Sequence, residues 1–131
     1  MKIQSSSPKK PLAVKSTTSG DMVERGKLEY EWASSLMKVI VKISKKYQRS
    51  KPLSNLNLGF CLHITKETSV LIMAAKALGA QISICSANPL SIQAEIIEFL
   101  RYNEVNVFKK RIPIEKSFLK ILLKYQIQIH M

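Results

Sequence analysis

The sequence predicts an α/β domain: a Rossmann-like parallel sheet of about four strands joined by crossover helices and preceded by a long N-terminal helix. Three observations predict it. A short, nearly continuous apolar run stands at 56–64, as a strand buried on both faces requires, and further short strand-like segments follow at 81–85, 105–108 and 126–129. Segments of about ten residues with helical spacing separate them. Helix-start and helix-stop residues stand at the junctions, with Thr65 before one segment, Gly79 after it, and Asn88-Pro89 before the next.

Residues 1–20 are rich in Ser, Thr, Lys and Pro and hold too little apolar surface to pack, so a mobile basic tail is expected there. From Asp21, a plausible N-cap, the pattern turns helical. Leu28, Trp32, Leu36, Val39, Ile40 and Ile43 recur at steps of mostly three and four, which predicts one buried stripe on a helix over 22–47. Pro52 closes that element, and the first strand follows at 56–64. A helix over 66–78 is capped by Thr65 and ended by Gly79 in the left-handed conformation. Strand 81–85, helix 91–102 with Ser91 as an ordinary N-cap, strand 105–108, helix 114–124 and strand 126–129 complete the alternation. Right-handed βαβ units on a parallel sheet are the expected assembly.

The 131 residues carry a formal net charge of +12 and a pI near 9.9. Such an excess favours phosphate and anionic surfaces in general. The lysines are nevertheless spread over tail, first helix and C-terminal unit without interleaved stacking aromatics, which argues for solvated faces and against nucleic acid as a partner. Cys61 and Cys85 fall in apolar runs without metal-ligand or redox-motif spacing and read as reduced core residues. The polar Ser5-Ser6-Ser7 stands where a secretory leader would be apolar, and the run 70–75 is too short to span a bilayer, so a cytoplasmic protein without membrane insertion is expected.

The stretch Cys61-Leu62-His63-Ile64-Thr65-Lys66-Glu67-Thr68, followed by Gly79-Ala80 and Asn88-Pro89-Leu90-Ser91-Ile92-Gln93, resembles the substrate domain of adenosylhomocysteinase, whose LHxTxET and NPLSTQ turns stand one βα unit apart. The similarity runs from about Val14 to the last residue. It includes Glu29-Tyr30-Glu31-Trp32-Ala33 and Ser50-Lys51-Pro52-Leu53, and is greatest to archaeal-type members, which also carry Lys after the Thr. The resemblance implies that 21–131 is a partial substrate-binding domain. It also implies an enzyme that reversibly splits S-adenosylhomocysteine into adenosine and homocysteine with bound NAD. The NAD-binding domain itself is absent from this chain, since with four glycines there is no G-x-G-x-x-G after a strand.

In open α/β sheets ligands bind beyond the carboxyl ends of the strands, where helix N-termini present unpaired amides. His63, Thr65 and Glu67 lie at the first such end, Asn88 and Gln93 at the second. Each has a structural role open to it: strand-end histidine, helix N-cap, dipole-compensating acid, Asn-Pro turn. What the resemblance implies is different. His63 would handle the proton at the sulfur end of the nucleoside, Thr65 would contact ribose, Glu67 would accept the adenine amino group, and Asn88 and Gln93 would line the rim. The family's Ser-Thr-Gln-Asp-Asp reads Ser91-Ile92-Gln93-Ala94-Glu95 here, so a hydroxyl and an acid are lost from that rim.

The family's later catalytic acids and NAD contacts have no counterpart before Met131, so turnover by this chain alone is not expected, with His63 catalytic only if a partner completes the site. The expected ligand is adenosine or S-adenosylhomocysteine. A complementing chain with the NAD-binding domain, or a second copy covering the edge at Ile127-Gln128-Ile129, would be the protein partner. A nucleoside-binding regulatory module and a basic nucleic-acid-binding protein are the competing readings.

Overall fold

A computed structural model of the chain describes residues 18–108. Its elements are α1 (Ser19–Leu36), α2 (Lys38–Tyr47), β1 (Asn57–Leu62), α3 (Lys66–Ala77), β2 (Gln81–Ser86), a 3-10 turn (Pro89–Ser91), α4 (Ala94–Tyr102) and β3 (Asn106–Phe108). The expected helix over 114–124 and strand over 126–129 lie outside the described residues, as does the tail up to residue 17. Among the described residues the sheet is parallel, in the order β1-β2-β3, as the βα alternation predicts.

Sequential order with right-handed crossovers places α3 and α4 on one face of the sheet. Strand residues alternate between faces. Ile82 and Ile84 therefore turn together toward Ile72, Ile96, Ile97 and Leu100, all within 3% of full burial. Ser83 and Cys85, on the opposite face, are buried as well, so β2 is covered on both sides and keeps only small side chains on that face. Register pairs Leu58 with Ile82, Phe60 with Ile84 and Cys61 with Cys85. At the base of the sheet, Leu53 N–H donates to Leu78 O at 3.0 Å and Gln81 N–H to Leu56 O at 2.9 Å. Gly79, at φ +104°, ends α3 as expected; a Cβ there would stand 2.8 Å from Ser54 Oγ.

The N-terminal helix departs from expectation in three ways. It begins earlier, at Ser19, because Thr18 and Asp21 form a reciprocal capping box and Asp21 is the third helical residue rather than the cap. It breaks at Met37 (φ −92°, ψ 54°). Ser35 Oγ donates to Trp32 O at 2.6 Å in the last turn before the break, a local serine bond of the kind found where helices bend.

The third departure concerns the buried stripe. Leu28, Trp32, Leu36, Val39 and Ile43 are exposed by 57, 54, 64, 70 and 45%, and only Ile40 is partly buried. The inner face of α1 is instead Gly26, Tyr30, Ala33 and Met37, also at four- and three-residue steps. The reason is the closeness of the crossing over α4: a Cβ on Gly26 would fall 2.1 Å from Glu95 O and 2.7 Å from Phe99 Cβ. Only small residues admit that approach, and Tyr30 completes it by stacking on Phe99 with ring centroids 5.0 Å apart.

Gly26→Ala should therefore lower the unfolding free energy by about 2 kcal/mol or more, because neither neighbour is a flexible side-chain end. Gly20→Ala, with open space around it, should be neutral or slightly stabilising. Urea denaturation of both variants checks the contrast; equal stability would mean that α1 does not cross α4 through Gly26.

Candidate functional site

Two turns meet at the carboxyl ends of β1 and β2. The first, His63–Thr65, joins β1 to α3; the second runs from Ala87 through the 3-10 turn to Gln93. Because β1 and β2 are adjacent and parallel, both turns open on one crevice. Gln93 joins them twice. Its backbone N–H donates to Ile64 O at 3.0 Å, and its Oε1 accepts from Lys66 N–H at 2.8 Å. The side chain expected at the rim is thus also an external cap on the first amide of α3.

Thr65 caps the same helix, its Oγ1 accepting from Thr68 N–H at 3.5 Å. A cap of this type contributes about 1 kcal/mol. Glu67 lies in the first turn of α3, exposed, and its carboxylate has no hydrogen-bond or ion-pair partner among the described residues. Asn88 takes its turn role: Oδ1 accepts from Leu90 N–H at 2.9 Å. Its carbonyl accepts from Ser86 Oγ at 2.7 Å and Ser91 Oγ at 3.0 Å.

Helix α4 starts at Ala94 rather than Ser91, because the bond from Gln93 N–H to Ile64 O fixes the chain there and the preceding residues wind as a 3-10 turn. Ser91 is consequently not its cap. Its hydroxyl reaches His63 Nδ1, 28 residues away. The chemistry of this pair follows from counting protons. Ser91 has one, directed at Asn88 O. Nδ1 is then the donor to Ser91 Oγ, and Nε2 of the neutral ring keeps its lone pair, the form a general base needs.

Lys66 was outside the expected site. Its Nζ lies 3.1 Å from Glu29 Oε2 and 4.1 Å from the Trp32 ring centroid, so α1 is fastened to the first turn of α3. The only advance signal was its position between Thr65 and Glu67.

Below the crevice, Cys61 and Cys85 are register partners and free thiols. Burial, then the adjacent Cys61, pushes the Cys85 thiol up to about 11 from an ordinary 9.0. Cys85 Sγ donates to Phe60 O at 3.6 Å. Cys85 is the core residue expected, Cys61 is only half-buried, and neither stands in a disulfide.

A family model for S-adenosyl-L-homocysteine hydrolase matches residues 15–129. The chain belongs to that family. Adenosylhomocysteinase from Sulfolobus acidocaldarius is 36% identical over 108 residues, covering 80% of this chain and 26% of that protein. The adenosylhomocysteinase of Sulfurisphaera tokodaii is 37% identical over 113 residues, covering 84% and 27%. A protein named S-inosyl-L-homocysteine hydrolase from Methanosarcina mazei is 37% identical over 94 residues, covering 71% and 23%. The chain therefore spans about a quarter of the length of these relatives.

Family members are generally NAD-dependent, so the described turns can be tested for a dinucleotide cradle. Neither the turn at 63–65 nor that at 87–93 contains a glycine, and both are closed by side-chain and backbone bonds across them. A backbone wrapped on a pyrophosphate needs the reverse. The described residues do not fit that group, and no step below passes through it.

Two predictions follow from the geometry. Ser91→Ala should shift the neutral His63 ring toward the Nε2–H tautomer, readable from its ring ¹⁵N shifts; unchanged shifts would show that Ser91 does not set the tautomer. The Cys85 proton is held more tightly in the folded chain, so its contribution to stability is complete below about pH 9 and declines as the pH rises toward 11. The stability difference between wild type and Cys85→Ala should shrink over that interval; a constant difference would refute it.

Proposed function

We propose that the crevice of this adenosylhomocysteinase-family chain binds the nucleoside part of an S-adenosylhomocysteine-type substrate. The observation that carries this reading is the pairing of His63 with Ser91 beside an unpaired Glu67 carboxylate, all at the mouth formed by β1 and β2. In this reading Glu67 accepts a hydrogen bond from the exocyclic amino group of adenine, and the Thr65 hydroxyl, whose oxygen is the helix cap, directs its own proton to ribose. Asn88 and Gln93 line the rim with the amide nitrogens left free by their structural bonds. His63 moves a proton at the sulfur end through Nε2.

The family's two names among its relatives bear on the base. Inosine carries an oxygen where adenosine carries the amino group, and a carboxylate facing that oxygen leaves two acceptors opposed. We therefore assign adenosine, rather than inosine, as the preferred nucleoside. Residues 21–131 are read as part of the substrate-binding domain. Splitting S-adenosylhomocysteine is proposed only in company with groups that the described crevice does not offer, such as a dinucleotide cradle on a complementing chain.

Isothermal titration of the purified chain with adenosine and with inosine tests the assignment. Adenosine should bind saturably, and inosine about tenfold more weakly or worse. Glu67→Ala should cost adenosine about tenfold, the worth of one charge-assisted hydrogen bond, and strengthen inosine, which no longer faces an opposed acceptor. His63→Ala beside it reports on the sulfur end. Absence of saturable adenosine binding by a chain with intact circular dichroism would sink the reading.

A further inference from the structure

We propose that the ridge formed by the last turns of α1 and by α2 is a docking surface for an anionic lipid membrane. It does not depend on the nucleoside assignment. The starting observation is the row Trp32, Leu36, Val39, Ile43 and Tyr47, spaced at steps of four, three, four and four, exposed by 54, 64, 70, 45 and 40%. Isolated apolar side chains on a surface are ordinary; five of them, two on α1 before the break at Met37 and three in a row along α2, are not.

Along α2 the charges beside this row are of one sign. Lys38, Lys42 and Lys46 each precede one of Val39, Ile43 and Tyr47, so a lysine file runs along the apolar file at the same helical step. Residues 32–66 contain no Asp or Glu at all. Nothing in α2 neutralises those lysines, and among the described salt bridges none involves them. The opposite side of α2, with Ile40, Val41 and Ser44, is turned to α3.

Charge decides between occupants. A partner helix laying its own apolar stripe on α2 would have to carry an acidic file to match the lysines, whereas an anionic surface meets them along their whole length. An interfacial bilayer region accepts such a ridge: the aliphatic side chains enter the acyl boundary, the lysine stems reach back to acidic headgroups, and the aromatic residues at the two ends suit the headgroup level. Trp32 and Tyr47 occupy those ends. A second basic copy of the chain would bring like charges together, and a soluble polyanion would leave the apolar row in water.

Trp32 is the sole tryptophan and serves as the reporter. The full chain is mixed with vesicles of phosphatidylcholine alone and with vesicles of about one-third phosphatidylserine. The expected result is co-sedimentation with the anionic vesicles only, a blue shift of Trp32 emission, and weakening by added salt. The double variant Val39→Ser with Ile43→Ser should bind at least about tenfold more weakly, and Lys42→Glu with Lys46→Glu by a similar factor. All four positions are exposed, and unchanged circular dichroism verifies that the fold is kept.

Three results would overturn the proposal. One is no vesicle binding by a folded chain. Another is equal binding by wild type and the serine double variant, which would reduce the effect to charge alone. The third is a concentration-dependent dimer, seen by sedimentation velocity without vesicles and lost in the serine variant, which would assign the ridge to a second copy.

Discussion

Gln93 holds two distant turns together with one backbone and one side-chain hydrogen bond, and the crevice exists because it does. Without the bond to Ile64 O, nothing would fix the level at which the chain leaves the 3-10 turn, and Ser91 would have no reason to stand over His63. Without the bond from Lys66 N–H, the first amide of α3 would lack a protein acceptor at a partly buried helix end. Each such bond contributes about 1 kcal/mol net, but losing either partner costs more, because the group left behind is desolvated. A residue of the second turn is thus also the fastener of the frame around it.

The first helix belongs to that frame as well. Its inner face is built from the smallest residues available, Gly26 and Ala33, and the closeness they permit brings Tyr30 onto Phe99 and Glu29 to Lys66. The Glu29–Lys66 pair is partly exposed and contributes at most about 1 kcal/mol. The Trp32 ring over the same ammonium adds an attraction of similar size. Together they make the orientation of α1 a condition of the first turn of α3, where Thr65 and Glu67 begin.

Much of this was legible in the sequence where the deciding forces are local. Thr65 and Gly79 announce the ends of α3 through backbone chemistry that no tertiary contact overrides, and the short Ile-Ser-Ile-Cys stretch of β2 is buried on both sides. The helix stripe was misread for a physical reason: α1 carries two stripes of the same period, and hydrophobicity alone selects the bulky one, whereas close packing selects the small one. The break at Met37 has neither proline nor glycine to mark it. Ser91 looked like a cap because Ser before a helix usually is one; its contact with His63 spans 28 residues and belongs to the tertiary fold alone.

The pair of bonds at the base of the sheet, Leu53 to Leu78 and Gln81 to Leu56, has a bearing on error. A parallel strand slipped by one residue would turn Ser83 and Cys85 toward the helices and carry Ile82 and Ile84 to the far side, so every side chain of β2 would change places. The two fasteners act before the ladder starts, on either side of Gly79, whose left-handed turn is wedged against Ser54. They leave β2 a single alignment against β1, and the sheet is guarded against misthreading at the end opposite the His63 and Gln93 turns.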